Sequence, residues 1–285
     1  MSPMHSPARL GGRPSSFLLR FSTTCYNNQP REGMADVKSY NYEKTLITPR
    51  KERGEPSIGP DAIMVAIPSE LQSMVAMTRA GRATLASSAT FKLFLIRMAD
   101  GLPLALAGPF LGAPQGAIIM EKLRAFGAKR IWVLGWCGSL QPDLPIGNIV
   151  IPTSALSEEG TSAHYPVSTG KKQTNPHLNA RLSDALIKAD LPFKTGPVWT
   201  TDALYRETAE KVIDFGNKGI LACEMEMSAL ISIALYRSIQ VAGLLIVSDE
   251  LFTLRWRPGF GSATLKKRTR EASRVLLDIC MGKGF

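Results

Sequence analysis

The stretch ACEMEMSAL, residues 222–230, places Glu224 and Glu226 at the start of an otherwise apolar run. The run fills most of a helix circumference, which predicts a helix that is buried on nearly every side. Carboxylates are rarely buried without a partner. Two interpretations follow: the acids complement the dipole of a helix N-terminus, or a carboxylate here binds the hydroxyls of a sugar.

A second stretch, VAGLLIVSD at residues 241–249, reads as a buried strand that ends in Ser248 and Asp249. Open α/β sheets bind their ligands at the carboxyl ends of strands. The position of Asp249 therefore predicts a ligand site at the end of this strand.

Outward from these stretches, strand and helix patterns alternate along residues 61–285. Strands are predicted at 62–67, 91–98, 102–107, 130–134, 148–151 and 197–201, and helices at 69–79, 117–126, 178–189 and 262–281. This alternation predicts an α/β fold, a single three-layer α/β/α domain with a mixed central sheet.

The first 60 residues differ from the rest in composition. Residues 1–33 are rich in Arg and Ser, and no acidic residue precedes Glu32. That composition is typical of an organelle transit peptide; a disordered extension before a start at Met34 is the alternative. The protein is expected in the cytoplasm, or in the mitochondrial or plastid matrix if residues 1–33 are a transit peptide. Residues 34–60 read as a polar arm or linker, lying over the domain or a neighbouring subunit.

Composition restricts the class of protein. The chain has 285 residues, of which 45% are hydrophobic and 20% charged, as expected for a folded domain rather than a disordered chain. Four cysteines and three histidines are scattered, which argues against a metal site or a disulfide scaffold and fits a reducing compartment. No apolar run reaches the ~20 residues of a membrane span.

The net charge of +10 is spread along the chain without a basic-aromatic repeat. A basic balance can indicate nucleic acid binding. The even spread instead favours an anionic small substrate or general surface charge, and no nucleic acid partner is expected.

Glycines concentrate where the predicted strands end, and one group, GAPQG at 112–116, precedes a helix N-terminus. Such a position favours anions. The loop is neither a Walker loop nor a GxGxxG motif, so it does not support ATP or dinucleotide binding. Tight packing against a helix explains these glycines equally well.

Six motifs, taken in order, resemble those of the trimer- and hexamer-forming nucleoside phosphorylases. The motifs are GAP at 112–114, EKL at 121–123, LGWCGSL at 134–140, IGNIV at 146–150, EME at 224–226 and SD at 248–249. The family includes uridine phosphorylase, bacterial-type purine nucleoside phosphorylase and the methylthioadenosine nucleosidases. The resemblance covers residues 61 to the C-terminus, and it implies the same α/β fold.

The resemblance also implies roles for the sugar and for the leaving base. Met225 and Glu226 match the Met-Glu pair that holds the ribose, with Glu224 beside them. Asp249 matches the acid that donates a proton to a departing purine. Uridine phosphorylase has a different residue there, so the resemblance favours a purine.

Two further loops receive roles in the same way. Gly135, Trp136 and Cys137 lie in the loop that touches phosphate and base, and Asp202 and Arg206 fall where the family builds its base pocket. Uracil-specific enzymes carry a Gln-Arg pair near this point, and no such pair is present here.

The sequence departs from the family at the phosphate site. The turn after the first strand, residues 67–71, lacks the family's Arg, and a second phosphate Arg falls near Val133. Gly112, with Lys92 or Arg97, is then the candidate for binding phosphate. The nucleosidases carry acids after the first strand, one of which activates water; Glu70 could do so here, or it could be an ordinary acid in a first helical turn.

Cleavage of an N-glycosidic bond passes through an oxocarbenium-like transition state. The enzyme must hold the ribose, place a nucleophile under the anomeric carbon and neutralise the departing base. The resemblance implies phosphorolysis of a purine-like nucleoside to free base and ribose 1-phosphate. Inorganic phosphate is the co-substrate, no metal or other cofactor is expected, and the protein is expected to be a homo-oligomer (dimer, trimer or hexamer). The alternatives are a nucleosidase that uses water through Glu70 and a non-catalytic nucleoside-binding or storage relative.

Overall fold

A computed structural model describes residues 45–86, 90–99, 101–167 and 172–282. The segment 1–33 and residues 34–44 of the arm lie outside these residues, so the transit peptide and the cellular location stay predictions. Within the described ranges no helix is long and apolar enough to cross a membrane.

The described chain forms strands and helices in alternation. The strands are β1 (Asp61–Val65), β2 (Gly81–Arg82), β3 (Lys92–Ile96), β4 (Leu104–Gly108), β5 (Arg130–Ser139), β6 (Ile149–Glu158), β7 (Phe193–Thr201), β8 (Ala222–Glu224), β9 (Gln240–Glu250) and β10 (Arg257–Pro258). The helices are α1 (Pro68–Thr78), α2 (Ala113–Phe126), α3 (Pro176–Lys188), α4 (Ala209–Asn217), α5 (Met227–Arg237) and α6 (Ala263–Cys280).

These strands form one mixed sheet in the order β10-β9-β6-β7-β8-β5-β1-β4-β3-β2. Strand β9 also pairs with β5 in parallel over most of its length, so β5, β9, β6, β7 and β8 close into a ring. The predicted mixed α/β sheet is confirmed. The closure was not predicted, because pairing between strands far apart in the chain leaves no local signal.

Helices cover both faces of the sheet. Successive residues of β5 point to opposite faces of the sheet: Val133 belongs to one apolar cluster and Trp132 to a second. Helices α2 and α5 pack in the first cluster, and α1, α3 and α6 pack in the second. Because these strands are buried on both faces, their sequences are continuous apolar runs rather than alternations of apolar and polar residues.

Strands β1, β4, β5 and β9 are linked by parallel pairing, so their carboxyl ends meet at one edge. The register of β5 against β9 shifts there: Cys137 pairs with Val247, but Gly138 pairs with Asp249. Such a bulge re-aims the side chains around it. Here the shift leaves Ser248 as the extra residue and brings Asp249 beside Gly138.

The compact unit that contains the sheet begins at Thr48, ahead of the predicted boundary at 61. Ile58 is fully buried, and its N–H donates to the Phe126 carbonyl at 3.0 Å. Residues 48–60 therefore pack on the domain itself.

Several local features differ from the sequence prediction. Strands β2, β8 and β10 and helix α4 were not predicted. The helix predicted within 222–230 begins only at Met227, because Glu224 belongs to β8.

Candidate active site

A cavity of about 270 Å³ opens at the carboxyl ends of these strands. Six of the thirteen predicted site residues meet there, although they come from distant parts of the chain: Trp136, Cys137, Glu224, Met225, Glu226 and Asp249. The lining residues are Ala66, Ile67, Pro68, Phe110, Leu111, Trp136, Cys137, Gly138, Leu204, Glu207, Cys223, Glu224, Met225, Glu226, Ser248, Asp249 and Phe260.

Glu224 has a structural role at the start of α5. Its Oε2 accepts hydrogen bonds from the backbone N–H groups of Glu226 and Met227, both at 2.7 Å. Its other oxygen, Oε1, accepts from the Thr200 hydroxyl. The helix-terminus interpretation therefore applies to Glu224, whose carboxylate binds N–H groups that would otherwise lack partners.

Glu226 is bound differently. Its Oε1 accepts the backbone N–H of Gly112 at 2.6 Å. Gly112 has φ +83°, a left-handed conformation that glycine adopts at low cost. The glycine loop thus contacts the carboxylate of Glu226 and fixes its position on the cavity wall.

The two glutamates form a coupled, buried pair. Burial and the neighbouring charge of Glu226 raise the pKa of Glu224. Burial also raises the pKa of Glu226, against the hydrogen bonds from Gly112 and Met225, which lower it. Burial favours the neutral form of an acid because it removes the charged form from water.

Asp249 lies at the bulge between β5 and β9, with both oxygens hydrogen bonded. The Ser248 hydroxyl donates to Oδ1 at 2.6 Å, and the Trp256 indole N–H donates to Oδ2 at 3.0 Å. A Cβ at position 138 would come within 3.1 Å of Oδ2, so Gly138 leaves the space that Asp249 occupies.

Residues 135–137 were predicted to form a loop, but they continue strand β5 and pair with β9, and two of the three line the cavity wall. Trp136 lines the cavity and donates its indole N–H to Thr269 Oγ1 at 3.1 Å. Cys137 is buried, and burial raises its pKa well above 9, which keeps the thiol neutral. Gly135 is not part of the wall; a side chain there would meet Leu245 on β9.

The loop after β7 reaches the cavity, but not through Asp202 and Arg206, the two residues to which a role was given. Asp202 is exposed and accepts the Gly160 N–H at 3.0 Å, and Arg206 is exposed as well. Neither lines the cavity, whereas Leu204 and Glu207 do. Arg206 is the last residue of a short helical turn, Leu204–Arg206, that spacing alone did not indicate.

A second cavity, of about 630 Å³, adjoins the first. The two share Ala66, Pro68, Phe110 and Leu111. Arg82 and Lys92 line the second cavity, and neither pairs with a carboxylate among the described residues. It therefore provides a positively charged surface beside the carboxylates.

The structure separates the two cationic candidates on β3. Lys92 pairs with Gly108 at the carboxyl end of β4, beside the cavities. Arg97 follows Ile96, which pairs with Leu104 at the opposite end of β4. Five residues of strand span about 16 Å, so Arg97 does not reach the cavity. The prediction that Arg97 binds phosphate was wrong.

Glu70 also lies away from the cavity. Its Oε1 accepts from the Ser273 hydroxyl at 2.7 Å and from Arg270 Nε at 2.9 Å, both on α6. Helix α1 starts at Pro68, without a side-chain cap, and this register faces Glu70 toward α6. The geometry does not support a water-activating role, and the nucleosidase alternative loses the residue on which it depended.

We expect Glu70→Gln to leave turnover within about twofold of wild type while lowering the free energy of unfolding by about 1–2 kcal/mol. The expected loss is that of a partly exposed ion pair and its hydrogen bonds. Steady-state rates of base release and chemical denaturation measure the two effects. A large loss of turnover with unchanged stability would return Glu70 to the mechanism.

No cluster of three or more His, Cys, Asp or Glu side chains that could hold a metal occurs within the described ranges. Sequence reasoning missed several cavity residues: Phe110, Leu111, Glu207, Cys223 and Phe260. The aromatic and apolar ones look like core residues in sequence. Only Glu207, an acid between a strand end and a helix start, offered a usable signal.

A cavity at the carboxyl ends of parallel strands, lined by carboxylates, is the arrangement with which α/β proteins bind small polar molecules. Comparison with known proteins identifies the family. Residues 60–279 match the family model described as the phosphorylase superfamily, and the chain belongs to this superfamily.

Two relatives illustrate the similarity in sequence. The chain is 30% identical to a guanosine phosphorylase from Halorubrum lacusprofundi over 152 residues, which cover 53% of this chain and 63% of that protein. It is 28% identical to a DeoD-type purine nucleoside phosphorylase from Bacillus thuringiensis over 183 residues, covering 64% and 75% of the two chains.

Two solved structures share the fold. A purine nucleoside phosphorylase from Toxoplasma gondii, in complex with immucillin-H, superposes with a TM-score of 0.71 at 21% identity, covering 82% of this chain and 98% of that one. A uridine phosphorylase from Vibrio fischeri gives a TM-score of 0.69 at 23% identity, covering 80% and 93%.

Proposed function

We propose that the protein is a nucleoside phosphorylase that cleaves a purine-like nucleoside with inorganic phosphate. The membership in the phosphorylase superfamily supports this activity, as do the names of its relatives, a guanosine phosphorylase and a purine nucleoside phosphorylase.

The main support for the proposal is that acidic residues line one of the adjoining cavities and basic residues line the other. The first cavity is lined by four acids, Glu207, Glu224, Glu226 and Asp249, and by no cation. The second is lined by Arg82 and Lys92 and by no acid. A phosphate anion is repelled by the first and attracted by the second, whereas a neutral nucleoside can enter the first. The shared wall then brings the two substrates together.

In the proposed reaction, Glu226 accepts hydrogen bonds from the ribose hydroxyls, and Met225 packs against the sugar. A phosphate oxygen, bound near Arg82 and Lys92, attacks the anomeric carbon. The bond from that carbon to the base nitrogen breaks, and its electron pair stays with the base. Asp249 delivers a proton to the base, and the products are free base and ribose 1-phosphate. No metal or other cofactor takes part.

The activity is tested by base release from a panel of purine and pyrimidine nucleosides, with and without phosphate. Release that requires phosphate and forms ribose 1-phosphate is the expected result. Equal release without phosphate would make the protein a hydrolase. Nucleoside binding without release from any substrate would make it a binding protein.

We expect the double substitution Arg82→Gln and Lys92→Gln to raise the KM for phosphate about tenfold or more, with little change in the KM for the nucleoside. Each exposed cation contributes about 1 kcal/mol or less to an anion, and together they account for that factor. Arg97→Gln is the control for overall charge: it removes one positive charge at the other end of β3, so it is compared with the single substitution Lys92→Gln on the same strand. An equal effect of Arg97→Gln would show that only the overall charge matters.

We also propose that the protein acts as a homo-oligomer: a dimer, trimer or hexamer. The large apolar side chains of Leu111, beside the cavity, and Tyr205 are 72% and 96% exposed in the single chain. Contact with a second copy would remove this apolar surface from water.

A further inference from the structure

The hydroxyl of Thr200 connects strand β7 to strand β8 and to helix α5. Thr200 is fully buried on β7, and the register of β7 against β8 places it directly beside Glu224. Its hydroxyl donates a hydrogen bond to Glu224 Oε1 and accepts the backbone N–H of Ser228 at 3.0 Å. A hydroxyl can donate and accept at once, whereas an aliphatic side chain of the same shape can do neither.

Glu226 occupies the N-cap position of α5, yet its side chain does not cap the helix. A side-chain oxygen at this position usually accepts one of the first N–H groups of its own helix, which would otherwise lack partners. Here Glu224 accepts two neighbouring N–H groups, and Thr200 accepts that of Ser228. The Glu226 carboxylate therefore turns away from the helix and accepts the Gly112 N–H on the cavity wall.

Ser228 is held in place from its other side as well. Its hydroxyl donates to Glu159 Oε1 at 2.8 Å, and Glu159 also accepts the Ser162 N–H at 3.0 Å. Ser228 is buried, so removal of the Thr200 hydroxyl would leave its N–H without a partner, which is costly away from water. The dipole of α5 attracts a carboxylate toward such a group. The flexible carboxylate of Glu226, at the N-cap of the same helix, is the acceptor placed to move there.

We propose that Thr200 is a positioning residue for Glu226. By taking the capping role that the N-cap side chain would otherwise have, its hydroxyl keeps the Glu226 carboxylate turned toward the sugar. The proposal rests on the proposed function, in which Glu226 accepts hydrogen bonds from the ribose hydroxyls. Thr200 lines neither cavity, so its effect reaches the reaction only through that carboxylate.

The first test compares kcat/KM for guanosine and 2′-deoxyguanosine in Thr200→Val and Thr200→Ser. The valine variant keeps the shape of the side chain without the hydroxyl, and it should lower the ratio of the two values about tenfold, the effect of losing one hydrogen bond to a charged group. The serine variant keeps the hydroxyl, so its ratio should stay within about threefold of wild type. A wild-type ratio in Thr200→Val would overturn the proposal.

Thr174→Val is the matched control. Thr174 is another buried threonine whose hydroxyl both donates and accepts: it donates to the Pro152 carbonyl and accepts from the Asn179 amide, each at 2.7 Å. It lines neither cavity, so its substitution should lower the unfolding temperature without changing the ratio. An equal change of the ratio in Thr174→Val would show that the loss of any buried hydroxyl suffices, which contradicts a specific role of Thr200.

A double-mutant cycle measures whether Thr200 acts through Glu226. Two residues that act through one contact have non-additive effects. Thr200→Val should lower kcat/KM for guanosine about tenfold or more in wild type, but by less than about threefold in the Glu226→Gln background. Equal effects in the two backgrounds would mean that Thr200 acts on the fold as a whole, and the proposal would fail.

A crystal structure of unliganded Thr200→Val requires no turnover, so it separates this proposal from the proposed function. The expected result is a Glu226 carboxylate that has left Gly112 and accepts the Ser228 N–H. A carboxylate that still accepts the Gly112 N–H would overturn the proposal. Thr200→Ala gives the same comparison if the valine variant does not fold. If wild type cleaves no nucleoside but the carboxylate moves in the variant, the proposed function fails and the positioning role of Thr200 is retained.

Discussion

Replacing Glu226 with Gln should lower kcat/KM by about 10²- to 10⁴-fold. A hydrogen bond to a charged group contributes about 1.5–3 kcal/mol, and a carboxylate that holds two ribose hydroxyls makes two such bonds. The amide can still accept the Gly112 N–H, so the glycine loop should stay in place. Initial rates of base release with saturating phosphate measure the loss.

The substrate analogue that lacks one hydroxyl provides the control. Wild type should favour guanosine over 2′-deoxyguanosine, and Glu226→Gln should lose most of this preference because the carboxylate no longer distinguishes the two. A variant that keeps the preference while losing activity would show that Glu226 acts on the fold rather than on the sugar.

The same substitution should stabilise the fold at high pH. Burial raises the pKa of Glu226 above its ordinary value of 4.5. At any pH between the ordinary and the raised pKa, the folded protein therefore binds more protons than the unfolded chain. Stability therefore falls as pH rises through that window. Glu226→Gln removes this titration, so its unfolding temperature should exceed that of wild type at pH 8 and match it at pH 4. Thermal unfolding by circular dichroism tests this directly.

Replacing Asp249 with Asn should lower kcat by about 10²- to 10⁴-fold, the usual contribution of a general acid. The amide fits the same space beside Gly138 but cannot deliver the proton. A nucleoside with a positively charged base, such as 7-methylguanosine, needs no proton, so it should be cleaved by Asp249→Asn at nearly the wild-type rate.

Two control variants isolate this effect. Trp256→Phe removes the 3.0 Å hydrogen bond to Asp249 but keeps the acid, and it should cost less than tenfold, about the value of one hydrogen bond. Asp202→Asn changes an exposed acid outside the cavity and should have no effect. If Asp249→Asn retained more than a tenth of the activity on guanosine, the proton would have to come from another group.

The local sequence was informative wherever the chain repeats a simple pattern. Apolar runs bounded by Gly and Pro placed β1, β9 and the major helices to within a few residues, because buried strands and helices must present such runs. The same pattern located the start of β5 but ended it at Leu134, five residues before its end at Ser139. The order of the short motifs indicated the superfamily, which the family match shows. Glu226 and Asp249 were singled out because charged residues at the ends of apolar segments need a reason to be there.

Only the tertiary structure decided which charged residues share the site. Glu224 and Glu226 are two residues apart and look equivalent in sequence, yet one carboxylate binds the N–H groups of α5 and the other lines the cavity beside Gly112. Lys92 and Arg97 are close in sequence, but the register of β3 against β4 places Lys92 at the carboxyl end of β4 and Arg97 near its amino end. Glu70 pairs with α6, and Glu207 reaches the cavity from the loop between β7 and α4. Hydrophobic periodicity determines which segments are buried, but the direction of a polar side chain depends on strand register and loop geometry, and these are set by contacts between residues far apart in the chain.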